Sequence, residues 1–329
     1  MQDKILLLTP PFTQLNTPYP ATAYLKGFLN TKNIASYQAD LGIEVMLSIF
    51  SKEGLIAVFE KAQTFEAPSD NMQRILKLKD TYIHTIDAVI SFLQGKNPTL
   101  AHRIAQRNFL PEAQRFDQLE DLNWAFGAMG IQDKAKYIAT MYLEDLADLI
   151  KETVDPYFGF SRYAEKIGRS AQEMDALYEA LLGPLSFVDE YLIALLKEKI
   201  ISQQPSLVAL SVPFPGNLYA ALRCGQYIKK EFPEIKIALG GGYANTELRS
   251  LSDQRILEFV DFICLDDGEA PLEQLFSFIQ QKTEATTLKR TFHLQEDQLV
   301  YTNASSCVDY KQATIGTPDY SDLLLNDYI

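Results

Sequence analysis

Two apolar runs of similar design constrain the fold of this chain more than any other feature. Within 207–213 (LVALSVP) an apolar run of four residues ends at the small polar Ser211, and about thirty residues later the run 235–242 (IKIALGGG) ends in three glycines, with a helical pattern between them. Strands of a parallel sheet are buried on both faces and form unbroken apolar runs. The pattern therefore indicates a βαβ unit. Ligands of open α/β sheets bind at the carboxyl ends of the strands, so the small residues there predict a binding edge.

Three further segments extend the predicted sheet. The runs 4–9 (KILLLT) and 34–39 precede the pair, and 260–264 (VDFIC) follows it. Pro10 and Pro11 end the first strand, because proline donates no ladder hydrogen bond. Helices are predicted at 21–32, 216–231 and 269–281. The predicted fold class is α/β, with a five-stranded parallel, flavodoxin-like (Rossmann-like) sheet of strand order 2-1-3-4-5.

The succession of short apolar runs that predict strands stops between the second and third strands. Apolar residues recur there at helical spacing, for example over 75–93, 138–149 and 188–196, as in amphipathic helices. We therefore predict a large all-helical insertion at 46–199, with Trp124 in its core. The α/β domain would comprise 1–45 and 200–285. A hairpin at 289–302 and a polar linker would fill 286–329.

Composition excludes several functional classes. The net charge of −13 disfavours nucleic acid and anionic membranes as partners. No apolar run reaches 18 residues, and the amino terminus lacks the pattern of a signal peptide. Cys224, Cys264 and Cys307 are too widely separated for a disulfide framework or close metal-ligand spacing, so we expect a cytoplasmic location. No catalytic motif, metal-binding motif or partnered histidine is evident.

Three motifs each permit a structural and a functional interpretation. Gly240-Gly241-Gly242 is either a tight turn or a place where a ligand approaches the backbone. Ser211 either caps the following helix or contacts a ligand. The segment 266–269 (DDGE) is either a metal-binding carboxylate cluster or, as we favour, a set of acids that complement a helix dipole. Neither a dinucleotide fingerprint nor a P-loop is present.

Taken in order, five motifs resemble the N-terminal cobalamin-binding domain of B12-dependent radical SAM enzymes. These motifs are ILLLTPP at 5–11, YPATAYLKGFL at 19–29, LVALSVPFPGN at 207–217, IKIALGGGYAN at 235–245 and VDFICLDDGEAPLEQLF at 260–276. The resemblance covers under half of the chain. It implies cobalamin as cofactor and, in the full-length protein, a 4Fe-4S cluster and S-adenosylmethionine in a C-terminal radical SAM domain of the same polypeptide. The polar tail 317–322 is similar to the linker before that domain.

Three departures from the family refine what the resemblance implies. The loop 11–16 (PFTQLN) has no histidine to ligate cobalt, so cobalamin would bind base-off without a protein histidine. The Gly-Glu-Gly-Glu turn is replaced by DDGE at 266–269. The cluster motif C-x-x-x-C-x-x-C is absent, so this chain alone would not cleave S-adenosylmethionine.

The resemblance also implies which residues bind the cofactor, with the corrin ring resting on strand-end turns and the protein orienting its chemistry. The implied cofactor-binding residues are Pro10, Pro11, Phe12, Thr13, Tyr19, Ser211, Val212, Pro213, Asn217, Gly240, Gly241, Gly242, Tyr243, Gly268 and Glu269. No catalytic residue or protein metal ligand is predicted, and methyl transfer or radical rearrangement would belong to the full-length protein. The alternative is a non-catalytic α/β sensor or protein-interaction module that uses the helical insertion.

Overall fold

A computed structural model describes residues 3–118, 130–160, 165 and 174–329. Trp124 lies outside these ranges. The strands form one seven-stranded sheet in the order β2-β1-β3-β4-β5-β6-β7. They are β1 (Ile5–Thr9), β2 (Ser36–Asp40), β3 (Leu207–Ser211), β4 (Lys236–Gly240), β5 (Phe262–Cys264), β6 (Thr291–Gln295) and β7 (Gln298–Thr302).

The prediction of a five-stranded, all-parallel, flavodoxin-like sheet is wrong. β1 to β5 are parallel and lie in the expected order, but the hairpin β6–β7 joins the same sheet. Its strand β6 pairs antiparallel with β5, with Phe292 opposite Ile263. The sheet is therefore mixed. The hairpin covers an edge of β5 that would otherwise present unpaired backbone groups.

Helices surround the strands in the sequence order expected of βαβ connections. Those among the described residues are α1 (Ala21–Thr31), α2 (Leu41–Ile49), α3 (Lys52–Ala62), α4 (Asp70–Lys77), α5 (Lys79–Leu93), α6 (Ala101–Ala105), α7 (Ile131–Thr153), α8 (Met174–Leu182), α9 (Phe187–Gln203), α10 (Pro215–Glu231), α11 (Gly242–Glu247) and α12 (Glu269–Ile279). None of these helices has the length and apolarity needed to span a bilayer. Local sequence signals determine where several helices begin. Helix α9 begins with a capping box of Ser186 and Asp189, and Pro215 occupies the first turn of α10.

The chain divides into two compact units. The first comprises 1–44 and 161–325 and contains the sheet; the second comprises 45–160 and 326–329 and is helical where described. Helices α8 and α9 thus group with the sheet, although the sequence analysis assigned them to the insertion. Residues that contact one another need not fold as an independent domain, so the predicted domain boundaries stay a prediction.

The core of the first unit forms where α1 and α12 pack on one face of the sheet. Alternate strand residues point to this face, and they bury apolar side chains against both helices. The buried members of this cluster are Ile5, Leu7, Phe28, Leu29, Leu207, Ala238, Phe262, Leu272, Leu275, Phe276, Leu288 and Ile315. This face also carries the candidate site.

The segment 316–325, expected to be a polar linker, packs against α1 and β2. The backbone N–H of Asp319 donates to the carbonyl of Ala23 at 2.9 Å. Asp322 forms an ion pair with Lys26, whose side chain is buried, and accepts a hydrogen bond from the backbone of Gln38 at 3.1 Å. This segment is hereafter the strap.

Candidate functional site

A cavity of about 250 Å³ opens at the carboxyl ends of the parallel strands. It lies on the face covered by α1 and α12, between the sheet and the first turns of both helices. Its lining residues come from β1, β3, β4, β5, α1, α12 and the loop that follows β5. They are Leu7, Ala21, Thr22, Tyr24, Leu25, Ala209, Leu210, Ser211, Ala238, Leu239, Gly240, Gly241, Cys264, Asp266, Asp267, Gly268, Glu269 and Leu272.

Small residues in register across neighbouring strands make this cavity possible. Ala209 lies opposite Ala238, and two positions further along Ser211 lies opposite Gly240. In a parallel pair, registered residues point to the same face, so two successive rows carry short side chains there. Larger apolar residues at these positions would fill the space against α1 and α12. The cavity is thus a consequence of the sequence of β3 and β4.

The interior of the cavity is apolar but contains two hydroxyl groups without partners. Thr22 and Ser211 are only 2% and 7% exposed, and neither hydroxyl forms a hydrogen bond to any described residue. Neither oxygen is fully buried, so water can satisfy both hydroxyls, and they offer hydrogen-bonding groups to a ligand with matching polar atoms.

The charge distribution separates the interior from the mouth. Burial raises the pKa of the Cys264 thiol to about 11, so this cavity-lining group is neutral at pH 7. Asp266 and Asp267 are exposed and lie at the mouth, together with the exposed ring of Tyr24. The hydrogen bond from Arg249 holds the pKa of Asp266 below its usual value. The interior therefore suits an uncharged group, and the rim is acidic.

Five of the fifteen predicted cofactor-binding residues line the cavity. These are Ser211, Gly240, Gly241, Gly268 and Glu269. Ten others do not line it, and their contact with a cofactor stays a prediction. These are Pro10, Pro11, Phe12, Thr13, Tyr19, Val212, Pro213, Asn217, Gly242 and Tyr243.

Several of those ten have structural roles in the strand-end loops. The Asn217 side chain is fully buried and donates from Nδ2 to the carbonyls of Pro10 and Phe12, at 2.9 and 3.0 Å. It thereby holds the loop after β1. Phe12 and Tyr243 are themselves core residues, each 1% exposed.

An aromatic pair lies in the loops of the same strand ends. The rings of Tyr19 and Phe214 meet edge to face with centroids 5.7 Å apart. Phe214 is 49% exposed. The pair offers an apolar surface to a ligand that lies over these loops.

The sequence analysis missed the part of the site contributed by α1 and by the strand interiors. Thr22, Ala209 and Ala238 are examples. A signal for the alanines was present, since β3 ends in Ala-Leu-Ser and β4 in Ala-Leu-Gly. The same small-large-small ending in two neighbouring strands marks a gap on one face.

The described residues contain no group of three or more His, Cys, Asp and Glu side chains able to hold a metal ion. In the segment 266–269, Glu269 lies in the first turn of α12, and Asp266 precedes the helix and forms ion pairs with Arg249 and Arg290. Comparisons with protein-family models, with curated proteins and with solved structures give no match for this chain.

Proposed function

We propose that this chain binds cobalamin, with the nucleotide end of the cofactor in the strand-end cavity. The observation that carries the proposal is the cavity itself, which is apolar, about 250 Å³ in volume and furnished with the unpaired hydroxyls of Thr22 and Ser211. A pocket for a whole ligand is roughly 300–1,000 Å³. This cavity therefore suits one flat group of a larger ligand, such as the dimethylbenzimidazole base, whose ring nitrogen can accept a hydrogen bond.

The corrin ring would lie outside the cavity, over the loops that follow β1, β3 and β4. Support comes from the aromatic pair of the half-buried Tyr19 and the exposed Phe214, and from the glycines at the end of β4. A broad ring fringed with amides needs such a platform of backbone and small side chains. The acids Asp267 and Glu269 near the mouth would accept hydrogen bonds from those amides.

The five-motif resemblance supports a wider proposal, that the chain is the B12 module of a cytoplasmic radical SAM enzyme. The 4Fe-4S cluster and S-adenosylmethionine would then belong to a separate radical SAM domain of the same polypeptide. When bound, cobalamin supplies methyl transfer or radical chemistry, and this chain binds and orients it. No histidine occurs among the described cavity-lining residues, and base-off binding without a histidine ligand stays part of the proposal.

Reconstitution with hydroxocobalamin, followed by desalting and a visible spectrum, tests the proposal. Ala209→Leu is the informative variant because its side chain would occupy the cavity. We expect Ala209→Leu to fold with near wild-type stability and to lose corrinoid retention. Ile237→Val is the matched control, since Ile237 is buried in β4 and does not line the cavity. It should lose about 0.5–1.5 kcal/mol of stability and still retain the corrinoid.

Two results would count against the proposal. A folded wild-type protein that retains no corrinoid would favour the sensor or protein-interaction alternative. If Ala209→Leu retained as much corrinoid as the wild type, the cavity would not be part of the binding site. Electron paramagnetic resonance of the cob(II)alamin form tests the lower ligand separately, because nitrogen superhyperfine splitting would contradict base-off binding without histidine.

A further inference from the structure

The loop 265–268, hereafter the mouth loop, has an unusual backbone at the cavity entrance. Asp266 has φ of 59°, in the left-handed region that side-chain-bearing residues rarely adopt. Such a conformation persists only where neighbouring groups hold it. Asp266, Asp267 and Gly268 all line the cavity. The position of the mouth loop therefore sets the width of the entrance.

Arg290 holds the mouth loop from the side of β6. Its backbone carbonyl accepts a hydrogen bond from Leu265 N at 2.9 Å. Its guanidinium donates to the carbonyls of Leu265 and Asp267, at 3.3 and 3.1 Å. The residue is 8% exposed, and Asp309 balances its charge at 2.6 Å. Because Arg290 is buried and satisfies two carbonyls of the mouth loop, we expect it to hold the loop at all times.

Arg249 holds the same loop from the side of β4, in a different way. It forms an ion pair with the Asp266 carboxylate, and its Nε donates to the carbonyl of Asn245 at 3.1 Å. The Asn245 side chain in turn accepts from Asp266 N at 2.5 Å. The side chains of Arg249 and Asp266 are 51% and 38% exposed. Salt screens an exposed ion pair effectively, so this connection is the one that can release.

We propose that Arg249 and Asp266 form a latch across the cavity mouth, and that access to the cavity depends on release of this latch while Arg290 keeps the loop attached. Asp266 is a positioning residue, because it acts by fixing the mouth loop. As regards the identity of the ligand, the inference rests on the proposed function. The opening of the mouth can be measured without any ligand.

Cys264 is a built-in reporter of access, because it lines the cavity below the mouth loop. Cys224 is fully buried, so a Cys307→Ser background leaves Cys264 as the thiol to be followed. The probe is methyl methanethiosulfonate, applied at one fixed alkaline pH, and mass spectrometry gives the modification rate. We expect Arg249→Gln to raise this rate about 1.4- to five-fold, the range for losing an exposed ion pair.

Salt dependence separates a latch from a general structural role. In the wild type the Cys264 rate should rise with sodium chloride, and in Arg249→Gln it should be high at every concentration. Asp266→Asn should raise the rate at least as much as Arg249→Gln, because asparagine keeps the left-handed backbone but loses the charge, and so also loses the ion pair of Asp266 with Arg290 Nε at 3.6 Å. Arg255→Gln is the control, since it removes exposed ion pairs with Asp253 and Asp175 elsewhere in the same unit. This variant should leave the rate unchanged.

The outcomes distinguish the latch from the ligand. A Cys264 rate that is the same in all variants and independent of salt would overturn the latch, and so would a Cys264 that is never modified. If the rates respond as expected but hydroxocobalamin is not retained, the latch stands and the proposed ligand is wrong. If cobalamin binds, its association rate should rise in Arg249→Gln by about the same factor as the Cys264 rate.

Discussion

At the residue scale, the two adjacent glycines at the end of β4 differ in whether the backbone would tolerate a side chain. Gly241 has φ of 105°, and a Cβ there would come 2.7 Å from the carbonyl oxygen of Val212. A Cβ at Gly240 would meet Cys264 O at an ordinary 3.5 Å. We expect Gly241→Ala to lower the free energy of unfolding by more than about 1 kcal/mol, and Gly240→Ala to be neutral or stabilising by up to about 1 kcal/mol. Urea denaturation followed by circular dichroism measures both values.

The comparison between these two variants decides whether Gly241 serves the backbone. If both substitutions had the same small effect, the close approach to Val212 would not constrain the turn. Both glycines line the cavity, and Gly240 is the one at which a side chain would narrow the cavity without a backbone clash. A valine at Gly241 would therefore report on folding rather than on binding.

Sequence reasoning found the residues that end the strands and missed those inside them. Ser211 and Gly240 follow apolar runs, so their place at the sheet edge could be predicted. Ala209 and Ala238 lie within such runs, and a run buried on both faces does not say which side chains face the same helix. Register supplies that information, and register depends on tertiary pairing.

At the scale of elements, the packing of the strap against α1 predicts whether a substitution in α1 stabilises or destabilises the protein. In a helix that faces solvent, Gly→Ala stabilises by about 1 kcal/mol. In α1, a Cβ on Gly27 would overlap the carbonyl of Thr317 in the strap. We therefore expect Gly27→Ala to destabilise the protein and to speed proteolysis within 316–325, measured by limited digestion and mass spectrometry.

A neighbouring position provides the control for the strap. Asn30→Ala also raises helix propensity, and it removes only the exposed hydrogen bond to Asp319. It should leave the digestion rate of the strap nearly unchanged. Stabilisation by Gly27→Ala would show that the strap does not hold to α1.

The hairpin shows why the predicted sheet was incomplete. The sequence predicted a hairpin at 289–302, and the structure has its two strands there as β6 and β7. Periodicity does not identify the partner of a strand, because any unpaired edge can accept it. Similarly, the polar composition of 316–325 favoured a linker. The buried contacts of Lys26 and Gln38 with this segment depend on residues almost 300 positions away.

At the scale of the whole molecule, the chain consists of a sheet-containing unit and a helical unit, each with its own internal contacts. The change from strand to helical periodicity predicted a helical insertion at 46–199, and that domain assignment stays a prediction. The grouping of α8 and α9 with the sheet was not evident, because helical periodicity gives no information on where a helix packs. In α9, for example, Lys199 pairs with Glu44 at 2.7 Å within the first unit.

The division into two units predicts which elements a bound ligand will protect from hydrogen exchange. A ligand that binds only the folded form stabilises it by RT ln(1 + [L]/Kd), about 2.7 kcal/mol at a hundredfold excess over Kd. Under the proposed function, all of the described cavity residues belong to the first unit. Hydroxocobalamin should therefore slow hydrogen exchange in β1, β3 and β4 and leave α5 and α7 of the second unit unchanged, because amides exchange through the opening of their own unit.

Hydrogen exchange with mass spectrometry, with and without the corrinoid, measures this directly, and Ala209→Leu serves as the non-binding control. Peptides from β1, β3 and β4 should be protected in the wild type and unprotected in the variant. Protection confined to α5 and α7 would place the ligand in the helical unit and remove the strand-end cavity from the site. Equal protection of both units would instead mean that they open together, so that a ligand bound at the sheet stabilises the helical unit as well.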